Sequence, residues 1–118
     1  MIHTKIALLD SGIDKSHPVF QNVSIKQYVY MHNRWQINEP YVPKHGHGTG
    51  IASILTKNTK NIDLSSYVLF EEKLSVDVNK LIGVLQFILE SGVHYDIIHM
   101  SFGVKFYYSE LARVSQLA

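Results

Sequence analysis

Near its start the chain carries Lys5-Ile6-Ala7-Leu8-Leu9, in which every position after the lysine is apolar, and the run stops at Asp10-Ser11-Gly12. A strand with one face in water alternates apolar and polar side chains. An unbroken apolar run marks a strand covered on both faces, the habit of a parallel sheet flanked by helices. This segment commits the chain to a layered α/β fold with a polar loop at the strand's carboxyl end.

The remaining pattern agrees. Ile25–Tyr30 is rich in β-branched and aromatic residues and predicts a second strand, and Met31–Lys44, with Asn33, Asn38, Pro40 and Pro43, reads as a loop. A short helix is expected to begin near His47, with Ile51, Ile54 and Leu55 on one face and Asn58-Thr59-Lys60-Asn61 ending it. Tyr67–Phe70 predicts a third strand. Val78, Leu81, Ile82, Leu85 and Leu89 then form a helical stripe, with Ser75 or Asp77 as N-cap and Gly92 as the stop. Asp96–Phe102 predicts a fourth strand ending at Gly103, and Leu111, Val114 and Leu117 begin another stripe behind Ser109 that reaches Ala118 without a stop signal. The expected fold is α/β and doubly wound, a mainly parallel sheet with helices on both faces and the site at the strands' carboxyl ends. The fourth strand is expected to be an open edge that something downstream covers.

Composition narrows the function. With 118 residues, 46% hydrophobic and 18% charged, the chain is one globular domain. Eleven basic against ten acidic residues give a formal charge of +1, so no electrostatic footprint exists for nucleic acid or an anionic membrane. No apolar run has the length of a membrane span, and the first strand begins too early to leave room for a signal peptide, so a cytoplasmic location is expected. The chain has no cysteine, which excludes disulfides, thiolate zinc sites and a cysteine nucleophile.

Three segments carry candidate chemistry, each at a predicted strand end or helix start: Leu8-Leu9-Asp10-Ser11-Gly12-Ile13-Asp14, His45-Gly46-His47-Gly48-Thr49-Gly50-Ile51-Ala52 and Ile97-Ile98-His99-Met100-Ser101-Phe102-Gly103. In wording and order they resemble the subtilisin-like serine peptidases, whose motifs read D-[ST]-G-[IV], H-G-T-x-[VI]-A and N-M-S-[LFW]-G. The resemblance runs from about Lys5 to Gly103 and implies a partial subtilisin-like fold. It makes Asp10 the orienting carboxylate and His47 the general base, and it makes Ser101, Phe102 and Gly103 the edge that binds an extended peptide or protein substrate. The glycines Gly48 and Gly50 are expected to let the helix pack closely against the site.

The departures are as informative. The family's nucleophile lies in a later G-T-S-x-[AS] segment and its oxyanion asparagine on an intervening one, and neither occurs in this sequence. Ser11, Ser53 and Ser101 fall at positions the family does not use as nucleophile. The chain is therefore expected to be the N-terminal part of a larger peptidase domain, inactive alone, with a continuation or a second chain supplying the serine. Ser53 replaces a common glycine. His99 replaces the family's asparagine and reads as a satisfied histidine on a packed strand. Val19 stands where relatives carry a calcium-binding aspartate, so no calcium is expected there, and no cofactor is implied.

Other readings remain. His45 and His47 form an H-x-H, but a glycine-rich turn without a third ligand argues against a metal. His17-Pro18 reads as a turn, and Phe106-Tyr107-Tyr108 lines a pocket or covers the sheet. A non-catalytic remnant that binds peptide or self-associates through its open edge is one rival. A phosphoryl-transfer domain with Asp10 as nucleophile is another, weakened because Gly12 stands where a second metal-binding carboxylate belongs.

Overall fold

The computed structural model describes residues 3–38, 41–57, 61–71, 75–100 and 103–105. Its centre is a five-stranded sheet built from β1 (Thr4–Asp10), β2 (Ser24–Met31), β3 (Arg34–Ile37), β4 (Ile62–Val68) and β6 (Ile97–Met100), in the order β3-β2-β4-β1-β6. All neighbours run parallel except β2 and β3. A separate pair joins β5 (Ser75–Asp77) to β7 (Gly103–Lys105), also in parallel. The architecture is thus a mixed α/β one around a mostly parallel sheet, as the first strand implied.

The helices α1 (His47–Thr56) and α2 (Val78–Ser91) gather two separate cores. Because successive strand residues face opposite ways, Ala7 and Leu9 of β1 join Tyr67 and the α2 residues Leu81, Val84, Leu85 and Ile88. Ile6 and Leu8 join Ile13, Phe20, Ile25, Leu64 and Ala52 of α1. Covered from both sides, Ile6 through Asp10 are all buried. The α2 boundaries follow the sequence signals: Asp77 accepts the Asn79 N–H as N-cap, and Gly92 ends the helix in the left-handed region at φ 75°.

Several expectations are corrected. The segment read as a continuous loop after Tyr30 contains β3, joined to β2 by a two-residue turn in which His32 and Asn33 both have positive φ, 55° and 62°. That is the primed turn whose twist suits a hairpin, so Asn33 signals a reversal within structure. The third strand starts at Ile62, five residues before the expected Tyr67. It is a central strand whose pattern is broken by Asp63, Ser65 and Ser66. On α1 the buried residues are Gly48, Ala52 and Thr56, while Ile54 is 69% exposed. Small side chains face the sheet because the helix sits close to it. Of the expected fourth strand, Ile97–Met100 forms β6 while Ser101 and Phe102 lie outside the described residues, and β6 is the outermost strand on its side among the described residues. Phe106–Tyr108 and the stripe from Leu111 lie outside the described residues.

Candidate active site

Strand β1 delivers Asp10 to the carboxyl end of the sheet, where it is fully buried and its backbone carbonyl accepts the Leu69 N–H at 2.8 Å. The carboxylate has two kinds of partner. Oδ1 accepts the Ser11 N–H at 2.7 Å, and Oδ1 and Oδ2 lie 2.9 and 3.0 Å from Nδ1 of His47. A carboxylate only accepts, so Nδ1 carries the hydrogen and the neutral ring keeps its lone pair on Nε2. The His47 side chain is 25% exposed, against 0% for Asp10. The pair therefore combines an acceptor shielded from water with a ring that solvent, or a substrate, can approach.

His47 is the first residue of α1, and the N-cap Gly46 has no side chain to accept the free N–H groups of the first turn. Neighbouring side chains do so instead. Nδ1 of His45 accepts the His47 N–H at 3.0 Å, and Oγ of Ser11 accepts the Gly48 N–H at 3.0 Å while donating to the His45 carbonyl at 3.2 Å. One residue further, Oγ1 of Thr49 accepts the Asp14 N–H at 2.9 Å. Each motif thus caps the other, and the loop after β1 and the start of α1 are one hydrogen-bonded unit.

The close approach has a steric condition. A Cβ at position 48 would lie 2.3 Å from the Gly12 carbonyl oxygen, so only glycine fits. Gly12 itself turns at φ +97° with Tyr41 against it, and its conformation and its crowding both exclude a side chain. Gly50, expected to serve the same purpose, has nothing within 4 Å of its would-be Cβ and has no packing role. Ser53, beside it, donates to the Gly50 carbonyl at 2.7 Å.

The Ser16 hydroxyl and N–H hold the exposed Asp14 carboxyl below its ordinary value, and burial, then Glu71, push the Tyr41 phenol up against the opposing pull of Lys44. Tyr41, Val68, Phe70, Glu71 and Lys80 border a recess of about 140 Å³ at this end of the sheet. Among the described residues no group of three or more His, Asp or Glu side chains is placed to hold a metal, so His45 and His47 have no third ligand.

The third motif is less fully described. Ser101 and Phe102 lie outside the described residues, and Gly103 begins β7, where it pairs with Ser75. Among the described residues Nε2 of His99 is buried without a hydrogen-bond partner, which corrects its reading as a satisfied strand histidine. His17 accepts the Val19 N–H through Nδ1 and so caps the short 3₁₀ turn Pro18–Phe20, as its turn reading implied. Three buried polar residues escaped sequence reasoning, Gln27, Thr56 and Ser66. The signal for Gln27 was present: at period two it shares a face with Ile25 and Val29, where a polar side chain needs a buried partner.

Among the described residues no helix is long and apolar enough to cross a membrane. No curated protein and no solved structure matches the chain. A family model does: that of the subtilase family, over residues 2–115. The match spans nearly the whole sequence and takes in all three motifs, and the chain belongs to the subtilase family.

Proposed function

We propose that this chain is the Asp- and His-bearing part of a cytoplasmic subtilisin-like serine endopeptidase with a doubly wound fold, and that a continuation or a second chain completes it with the nucleophilic serine. The observation that carries this reading is the buried Asp10 carboxylate within 2.9 Å of Nδ1 of His47. In that arrangement Asp10 fixes the tautomer and stabilises the imidazolium. Nε2 takes the serine proton as Oγ attacks a peptide carbonyl, then returns it to the departing amine. Ser101, Phe102 and Gly103 serve as the edge along which the extended substrate lies. No cofactor enters this chemistry.

Ser11 is unsuited as the nucleophile because its hydroxyl proton goes to the His45 carbonyl while its oxygen accepts the Gly48 N–H, so the group serves as a cap. A triad lacking its serine retains only residual rate, so the chain alone should not hydrolyse peptides. The test is to express the chain together with whatever its native transcript encodes beyond Ala118 and to treat the product with a fluorophosphonate. One serine should be labelled in the intact protein, and labelling should fall by roughly three to four orders of magnitude in rate with His47→Ala. Labelling that is indifferent to His47 overturns the reading.

A second reading, a non-catalytic remnant that binds peptide or self-associates, draws support from β6, the outermost described strand on its side, with Ile97 and Met100 both exposed. Concentration-dependent association without labelling under any pairing favours it.

A further inference from the structure

Gln27 lies in the middle of β2 and is fully buried, at a position where strand periodicity calls for an apolar side chain. Across the sheet the register aligns it with Ser66 of β4, Leu8 of β1 and His99 of β6. Its carboxamide oxygen is doubly engaged, and one of its two N–H groups has a backbone acceptor. Oε1 accepts the Ile13 N–H at 2.8 Å and the Ser66 hydroxyl at 2.8 Å, and Nε2 donates to the Ile13 carbonyl at 3.1 Å. One side chain therefore holds both backbone groups of a single loop residue, as a neighbouring strand would. Ile13 is itself fully buried in the α1-side core, so without Gln27 its peptide groups would be left in an apolar environment with no partner.

What Ile13 anchors is the Asp10 loop. Gly12, next to it, turns at φ +97° and presents the carbonyl against which Gly48 packs, and Gly48 follows His47. Ser11, one residue earlier, bonds the same helix start. We infer that Gln27 is a positioning residue of the Asp10–His47 pair: by clamping Ile13 it fixes the loop that orients the carboxylate and seats the imidazole. The inference rests on the proposed Asp–His role.

The test follows the His47 ring in the full chain by long-range proton–nitrogen correlation. Gln27→Met keeps the volume and removes both bonds to Ile13. It should lower the share of the Nδ1–H tautomer and speed exchange of the Nδ1 proton with water at least tenfold. Ser66→Ala removes a bond to the same oxygen without freeing Ile13, so it should lower the melting temperature yet leave the His47 signals in place. Gln27→Glu, which keeps an acceptor for the Ile13 N–H but places a carboxylate against the Ile13 carbonyl, should give an intermediate change. A folded Q27M protein with unaltered His47 signals, or an equal disturbance from S66A, overturns the inference. In the unsubstituted protein the Ile13 amide should exchange as slowly as those of β1, and fast exchange there also overturns it, whatever the variants do. Asp10→Asn separates the two levels. If D10N leaves the His47 tautomer unchanged, the Asp–His reading fails and takes the inference with it; if D10N changes it and Q27M does not, only the role of Gln27 fails.

Discussion

A methyl group at position 48 would meet the Gly12 carbonyl at 2.3 Å, backbone against backbone, where no rotamer can give way. Gly48→Ala must therefore lift α1 off the loop after β1, and overpacking of this kind costs about 1–3 kcal/mol. Two residues on, Gly50→Ala meets nothing and replaces a poor helix former by the best, so it should stabilise by up to about 1 kcal/mol. Urea denaturation of the two variants checks this, and equal shifts would contradict the packing described. Asp10 and His47 were legible in the sequence because each stands in a short motif, resembling those of the subtilisin-like peptidases, beside glycines that the backbone needs. The clamp around Ile13 was not, because its three members, Ile13, Gln27 and Ser66, are brought together only by the sheet order. A buried glutamine at a core-facing strand position announces that a partner exists without saying which.

At the scale of elements, the hairpin linking β2 and β3 turns on His32 and Asn33 at φ 55° and 62°. Both angles lie in the left-handed region, which asparagine tolerates and histidine tolerates less well. The pair His32→Asn with Asn33→Gly supplies the residues this turn type prefers, and it should stabilise the protein by about 0.5–1 kcal/mol without altering the His47 signals. A thermal melt together with the His47 spectrum tests both halves of that statement. The same hairpin explains a failure of pattern reading: four residues, Arg34–Ile37, are too few for alternation to stand out. β4 was half hidden for a different reason. Its position between β2 and β1 calls for an apolar run, yet Asp63 pairs with His3 and Ser66 serves Gln27, so polar residues interrupt a central strand. β1 and α2 were plain because nothing functional disturbs their apolar pattern before their ends.

For the molecule as a whole, the two faces of the sheet are stabilised in different ways. The α1 face carries the candidate site and its buried polar clamp, whereas the α2 face is closed by aromatic rings that meet at Tyr67. Tyr28 stacks on Tyr67 at 4.7 Å, while Trp35, Phe87 and Tyr95 meet it edge-on at 6.0 to 6.3 Å, so this ring joins β2, β3, β4, α2 and the approach to β6. Its hydroxyl lies 2.7 Å from that of Tyr95. Burial first, then the bond to Tyr95, pushes the Tyr67 phenol far above its ordinary value of 10.0. The folded protein thus holds this proton more tightly than the unfolded chain does, and the linked stability is intact below pH 10 and declines as pH rises past it. The decline from this one group approaches about 1.4 kcal/mol per pH unit. Tyr67→Phe removes the titration together with one hydrogen bond, so at pH 8 the variant should be less stable by about 1 kcal/mol. Above pH 10 that deficit should shrink and then reverse, because only the unsubstituted chain has the Tyr67 phenol to ionise when it unfolds. Urea midpoints of both proteins between pH 8 and 11 will show the crossing. Parallel curves would mean that Tyr67 ionises within the folded protein and that the α2 face is far wetter than its packing implies.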